Sequence, residues 1–342
     1  MEQHSIIRKS AAGVALLSTA FALGAATPAL AQMEQATLAV PTFSLTVTPL
    51  YIAEDKGFWK EEGLDLKLPL IPGIGATNAL LAGSVEFADA SAASFTRAIA
   101  RGQKLIAIAN TLETVQLELV VAKAYADKMK LVANLPVNQR AQILEGARIA
   151  VDAPNTIVHG YVRYAAKLAG LNPDRDVSVS PMQPPAMLQA LKSGQIDGFV
   201  MSRPWTSTAR RDMGAVTVVS SQGGDLPELN PFNYNIIMTR PGVCEAKPSL
   251  CRKTLAGITK AVNLMHTRPA EALAILAKRF DKIEPDLLKE AFAGVIAGTP
   301  RTIEVKEAGF ANAENYMVGA DQIKPEERLP SYAGTYNNAW LK

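Results

Sequence analysis

Short apolar runs alternate along the chain with amphipathic stretches that end on glycine, and the sequence of runs occurs twice. In the first pass, residues 37–41 form an apolar run, residues 64–70 alternate apolar and polar, and residues 85–90 are apolar again; these patterns predict three strands. Between them, residues 49–62 carry Leu50, Ile52, Ala53 and Phe58 on one side and stop at Gly63, which predicts a helix. A shorter helix is predicted over residues 75–82, ended by Gly83. The second pass predicts strands at 148–152, 177–180 and 196–201, with helices at 156–169 and 185–192.

The two passes match at a constant offset of 111 residues. Leu38-Ala39-Val40 corresponds to Ile149-Ala150-Val151, Leu66 and Leu68 to Val177 and Val179, and Ser91 to Ser202. Ala79-Leu80-x-x-Gly83-x-Val85-Glu86 corresponds to Ala190-Leu191-x-x-Gly194-x-Ile196-Asp197. Each copy reads β-α-β-α-β, which predicts an α/β fold of two lobes, each a parallel sheet covered by helices. Segments 117–122 and 233–239 are expected to connect the lobes, and helices over about 250–319 to pack on the first. The expected layout is a first lobe over 32–118, a second over 119–235, and a helical return to the first over 236–342, with a hinge between lobes.

Ligands of open parallel sheets bind beyond the carboxyl ends of the strands. The repeat makes six loops converge on one cleft. In the first lobe they offer Thr42, Phe43, Ser44, Gly73, Gly75, Ser91 and Ala92; in the second, Asn155, Thr156, Gln183, Arg203 and Trp205. Most of these loops lead into helix N-termini, which favour an anionic or strongly polar group. Ser91, Ser94, Asn155 and Thr156 serve equally well as helix N-caps. Arg203, at the end of an apolar strand, suits a carboxylate or sulfonate held bidentately; the alternative is a salt bridge within or between lobes. Arg97 is a weaker candidate, expected on a solvated helix face. Phe43, Tyr51 and Trp205 form either an apolar wall for the ligand or part of the core.

The 342 residues carry a formal charge of +3 with no Lys/Arg-rich run, which argues against nucleic acid or an anionic membrane as main partner. Arg8 and Lys9 precede a small, apolar stretch over 11–26, and Ala29-Leu30-Ala31 resembles a cleavage site, so residues 1–31 read as an export signal cleaved after Ala31. Removing them leaves a charge of +2. Cys244 and Cys251 are compatible with a disulfide in an oxidising compartment or with two free thiols. Of the three histidines, His4 lies in the signal, and His159 and His266 fall on helices. No zinc spacing, nucleophile elbow or phosphate loop occurs, and Gly73-Ile74-Gly75 lacks the third glycine of a dinucleotide fingerprint. Neither an enzyme, a cofactor nor a metal is expected.

Pro49-Leu50-Tyr51-Ile52-Ala53-x-x-Lys56-Gly57-Phe58-Trp59-x-x-Glu62-Gly63-Leu64 resembles the opening motif of the nitrate/sulfonate/taurine and thiamine-pyrimidine-precursor binding proteins of ABC importers. Ala79–Phe87 and Ala190–Gly198 resemble that family's two paired segments, and Gly146–Val151 its second-lobe opening. The resemblance covers about residues 36–240. It implies a periplasmic type II binding fold, capture of a solute between lobes, and hand-over by a monomer to an inner-membrane permease with its ATPase. The leading expectation is a small organic anion held by Arg203. The alternatives are a neutral pyrimidine-like heterocycle stacked between Phe43 and Trp205, a pyrimidine-forming enzyme, and an exported sensor.

Overall fold

The computed structural model describes residues 33–341, and the segment read as an export signal, with its cleavage point after Ala31, lies outside them. Ten strands are present: β1 Glu34–Ala39, β2 Leu64–Lys67, β3 Phe87–Ala90, β4 Ile106–Leu112, β5 Leu117–Val121, β6 Arg148–Val151, β7 Ser178–Pro181, β8 Gly198–Ser202, β9 Val216–Ser220 and β10 Asn235–Thr239. They form two five-stranded sheets of the same design, β2-β1-β3-β10-β4 and β7-β6-β8-β5-β9. β1 pairs parallel to β2 and β3, and β6 to β7 and β8. β3, β5, β8 and β10 are buried along their whole length, so the centre of each sheet is covered on both faces.

The sheets are mixed, which corrects the expectation of parallel ones. β10 runs antiparallel to β3 and β4, and β5 antiparallel to β8 and β9. Segments 117–122 and 233–239 are therefore full sheet members: β5 fills the gap between β8 and β9, and β10 the gap between β3 and β4. The chain passes between the sheets twice, over residues 113–116 and 221–234. This is an α/β fold of two lobes joined by a two-segment hinge. The helix predicted over 49–62 is broken into Thr48–Asp55 and Phe58–Glu61, because Gly57 has φ 71°, a left-handed conformation that ends the first helix.

Three of the helices that follow β10, Pro248–Thr267, Pro269–Arg279 and Pro285–Gly298, begin with proline, whose missing N–H is no loss at that position. Pro248–Thr267 packs on Thr48–Asp55 and Phe58–Glu61, where Trp59 Nε1 donates to the Thr254 carbonyl at 2.9 Å. The last long helix, Glu307–Gly319, touches both halves: Ala92–Ala100 in the first and Ile157–Leu168 in the second. No helix among the described residues is long and apolar enough to cross a membrane.

Cys244 and Cys251 form a disulfide with both residues buried. It ties the short helix Val243–Ala246 to the start of Pro248–Thr267. The closed loop is small, so its constraint on the unfolded chain is worth about 2–3 kcal/mol. Replacing both cysteines by serine is expected to lower the unfolding free energy by about 2 kcal/mol in a urea titration; an unchanged midpoint would show that the bridge adds nothing to stability.

Candidate functional site

A chamber of about 60 Å³ lies where the strand ends of the two sheets converge. Thr42 and Gly73 follow strand positions of the first sheet, Asp89 lies within β3, and Ser91 and Ser94 open the helix Ala92–Ala100. From the second sheet come Asp152, just after β6, Thr156, Ile157 and Val158 at the start of Ile157–Leu168, and Met201 of β8. Tyr234 and Asn235 complete it where the chain returns to the first sheet. The volume holds a few atoms' worth of water or the polar head of a small solute.

Two carboxyls dominate the lining. Asp89 is 1% exposed, and its oxygens accept only the Asn235 Nδ2, at 2.8 and 3.1 Å. Burial pushes its carboxyl up to about 8, against the lowering effect of that hydrogen bond. Asp152 accepts from the Ala153 N–H at 2.7 Å and the Thr156 hydroxyl at 2.6 Å. Burial again wins, holding it at about 6. Neither carboxyl has an ion-pair partner among the described residues, and no Lys or Arg lines the chamber. Tyr234 is 5% exposed and its hydroxyl has no hydrogen bond among the described residues; burial, then Asp152, Tyr161 and Asp89, keep it neutral well past its ordinary value. The buried Thr42 hydroxyl is also unpartnered. At neutral pH the lining thus offers an ionised Asp152, which only accepts, together with a protonated Asp89 and free hydroxyls, which can donate and accept.

Of the residues singled out from the sequence, Thr42, Gly73, Ser91 and Thr156 line this chamber. Ser91 and Thr156 also cap their helices, accepting from Ser94 N and His159 N, each at 3.2 Å. Ser44 is fully buried beside it and meets Ser202 across the two halves, the hydroxyls 2.9 Å apart. Ala92 is buried in its helix, its N–H donating to the Asn233 carbonyl. Gly75, Gln183 and the Asn155 side chain do not line it. Phe43 stacks on Phe280 with centroids 4.6 Å apart and lies 6.3 Å from Trp205; both aromatics belong to this packed cluster, and neither lines the chamber.

Arg203 does not line the chamber and is engaged by carboxylates. Its guanidinium binds Glu118 of β5 at 3.0 Å and Glu290 of the helix Pro285–Gly298 at 2.9 Å. Glu118 is 1% exposed; burial raises its pKa, but Arg210, Thr206 and Arg203 together lower it further, so it is ionised. The salt bridge left open by the sequence is the arrangement the structure contains. Asp89, Asp152, Tyr234 and Asn235 were missed. The available signal was a charged residue inside a run otherwise read as buried strand, Phe87-Ala88-Asp89-Ala90.

The halves approach closely around the chamber. A Cβ on Gly73, at φ +57°, would stand 2.4 Å from Ala153 Cβ across the gap. Gln322 donates to the Thr156 carbonyl at 3.3 Å, and Arg163 to the Ala320 carbonyl at 2.7 Å.

The model of the NMT1-like family matches residues 31–280, most of the chain. The chain belongs to the NMT1-like family. Curated relatives of this NMT1-like chain include the bicarbonate transport ATP-binding protein CmpC of Synechocystis sp., 26% identical over 181 residues, or 50% of this chain and 27% of that protein. The bicarbonate-binding protein CmpA of Synechococcus elongatus is 25% identical over 207 residues, 54% of this chain and 44% of that one. The chain thus spans less than half the length of these relatives. Among solved structures, the alkanesulfonate-binding protein SsuA of Xanthomonas axonopodis pv. citri, bound to MOPS, superposes with a TM-score of 0.69 at 18% identity, covering 90% of this chain and 99% of that one. The likeness shows a periplasmic binding protein fold. Among the described residues of the NMT1-like chain, no group of three or more His, Cys, Asp or Glu is placed to hold a metal.

The raised Asp89 carboxyl has a consequence for stability. The folded protein binds a proton there that the unfolded chain releases above about pH 4, so stability falls as pH rises toward about 8 and levels beyond. In urea titrations from pH 5 to 9, Asp89→Asn is expected to remove on the order of a few kcal/mol of that fall. An identical slope in wild type and variant would show that Asp89 titrates normally.

Proposed function

We propose that the protein is the extracytoplasmic solute-binding subunit of an ABC importer, which captures a small solute in the interlobe chamber and delivers it to a permease in the inner membrane, without chemistry of its own. The fold and the bicarbonate- and alkanesulfonate-binding relatives support the role. Closure would take the solute's polar groups out of water and replace that hydration with groups from both lobes, so the ligand favours the closed state by the free energy of those contacts.

The observation that carries our reading of the solute class is the pair of buried carboxyls in a chamber with no cation on its walls. A simple anion there would meet the ionised Asp152, which no cation on the walls offsets, while Asp89, raised to about 8, is protonated at pH 7. An amine, amidine or aminated heterocycle would donate to Asp89 and Asp152. This supports a solute with a donor-bearing head, such as an aminated form of the pyrimidine-like alternative, over an anion held by Arg203, with that head against the carboxyls and not between Phe43 and Trp205.

Thermal-shift titration with nitrate, bicarbonate, propane-1-sulfonate, propylamine and 4-aminopyrimidine tests this. An amine-bearing probe at one hundred times its Kd is expected to stabilise the fold by about 2.7 kcal/mol. Gly73→Ala, which places a methyl against Ala153, is expected to weaken that binding at least about tenfold with the fold retained, since closure needs the contact. Stabilisation by the anions alone would refute the donor reading, and full affinity in Gly73→Ala would refute closure across this gap.

A further inference from the structure

Beside the chamber lies a second cavity of about 80 Å³, lined by Ile74, Thr77, Asn78, Ser94, Arg97, Ala98, Arg101 and Gln103. It shares Ile74, Thr77 and Ser94 with the chamber, so the two cavities adjoin across these residues. Its chemistry is opposite. Arg97 is 5% exposed and has no carboxylate partner among the described residues. One of its terminal nitrogens donates to the Asn155 carbonyl across the two halves, and no other hydrogen bond engages its guanidinium. Asn155 presents that carbonyl from a left-handed backbone, φ 61°. Arg101, one turn further along and exposed, also lacks an ion-pair partner among the described residues.

A largely buried guanidinium with no carboxylate beside it loses much of its hydration and is incompletely compensated. Burial and the neighbouring Arg101 lower its pKa to about 10, and it stays charged at neutral pH. Ser94, Asn78 and Gln103 add neutral donors around it, and no carboxylate lines the cavity. Arg203, by contrast, is bonded by Glu118 and Glu290.

We infer that Arg97, assisted by Arg101, is the anchor for an anionic tail, and that the solute is bipolar: a donor-bearing head against Asp89 and Asp152 and an oxyanion tail, carboxylate, sulfonate or phosphonate, on Arg97. This deepens the proposed solute-binding role and depends on it. A bipolar solute satisfies both compartments at once, whereas an amine leaves Arg97 unpaired and an anion leaves the carboxyls unpaired. Arg97 also reaches Asn155 of the opposite half, so an anion bound there would sit on one of the contacts between the halves.

Isothermal titration of wild-type protein with 3-aminopropylphosphonate, propylamine and propylphosphonate tests the inference. The bipolar probe is expected to bind at least about tenfold more tightly than either half-molecule, the worth of one charge-assisted contact. Arg97→Gln is expected to abolish the preference of the protein for the bipolar probe over propylamine. Arg101→Gln, at an exposed position, is expected to fold normally and to reduce the preference severalfold, and Arg97→Lys to retain part of it. Equal binding of propylamine and the bipolar probe, an undiminished preference in Arg97→Gln, or failure of all three probes where 4-aminopyrimidine binds would each overturn the inference and leave the solute-binding role standing. Only the failure of every probe, these and the earlier anions included, would remove that role as well.

Discussion

Burying Asp89 and Asp152 without a cation costs free energy that the rest of the fold has to offset, and the cost is largest when both are ionised. Asn235 and Thr156 recover part of it with hydrogen bonds, and protonation recovers more. What neither supplies is a donor from the chamber side. A solute that brings one lowers the energy of the closed state more than of an open, hydrated one. In the adjoining cavity the charge is of the other sign: Arg97 is buried there with no carboxylate partner among the described residues.

The opposite arrangement operates at Glu118. There the buried carboxylate is surrounded by Arg203, Arg210, Thr206 and Ser220, so it is held ionised and fully bonded. The network joins β5 to the helix Trp205–Met213 and, through Arg203, to Glu290 on the C-terminal helices. It is a structural tie near the passage between sheets. Two buried acids in one molecule thus have different roles because one set of neighbours is complete and the other faces a cavity.

Much of the architecture was legible in the sequence because the β-α-β-α-β pattern is written twice in one register. The mixed direction of the sheets was not. Leu117–Val121 and Asn235–Thr239 are buried on both faces, and an apolar run reads the same in a parallel or an antiparallel strand. The loops around the cleft were legible from the rule for strand ends. The decisive side chains were less so, since Asp89 sits inside a strand and Tyr234 and Asn235 on the returning segment. The partner of Arg203, 85 residues away, depends on the register of β5 between its neighbours, which no local pattern encodes. Arg97 looked solvated on its helix because the wall that buries it comes from the opposite half.

The direction of proton movement on binding tests the central claim most directly. Calorimetry of 3-aminopropylphosphonate binding at pH 7, in two buffers of different ionisation enthalpy, reads the protons exchanged. With Asp89 at about 8 in the free protein, a donor head that ionises it is expected to release a substantial fraction of a proton per solute bound, and Asp89→Asn to abolish that release. Net proton uptake, or a release unchanged in Asp89→Asn, would contradict the account.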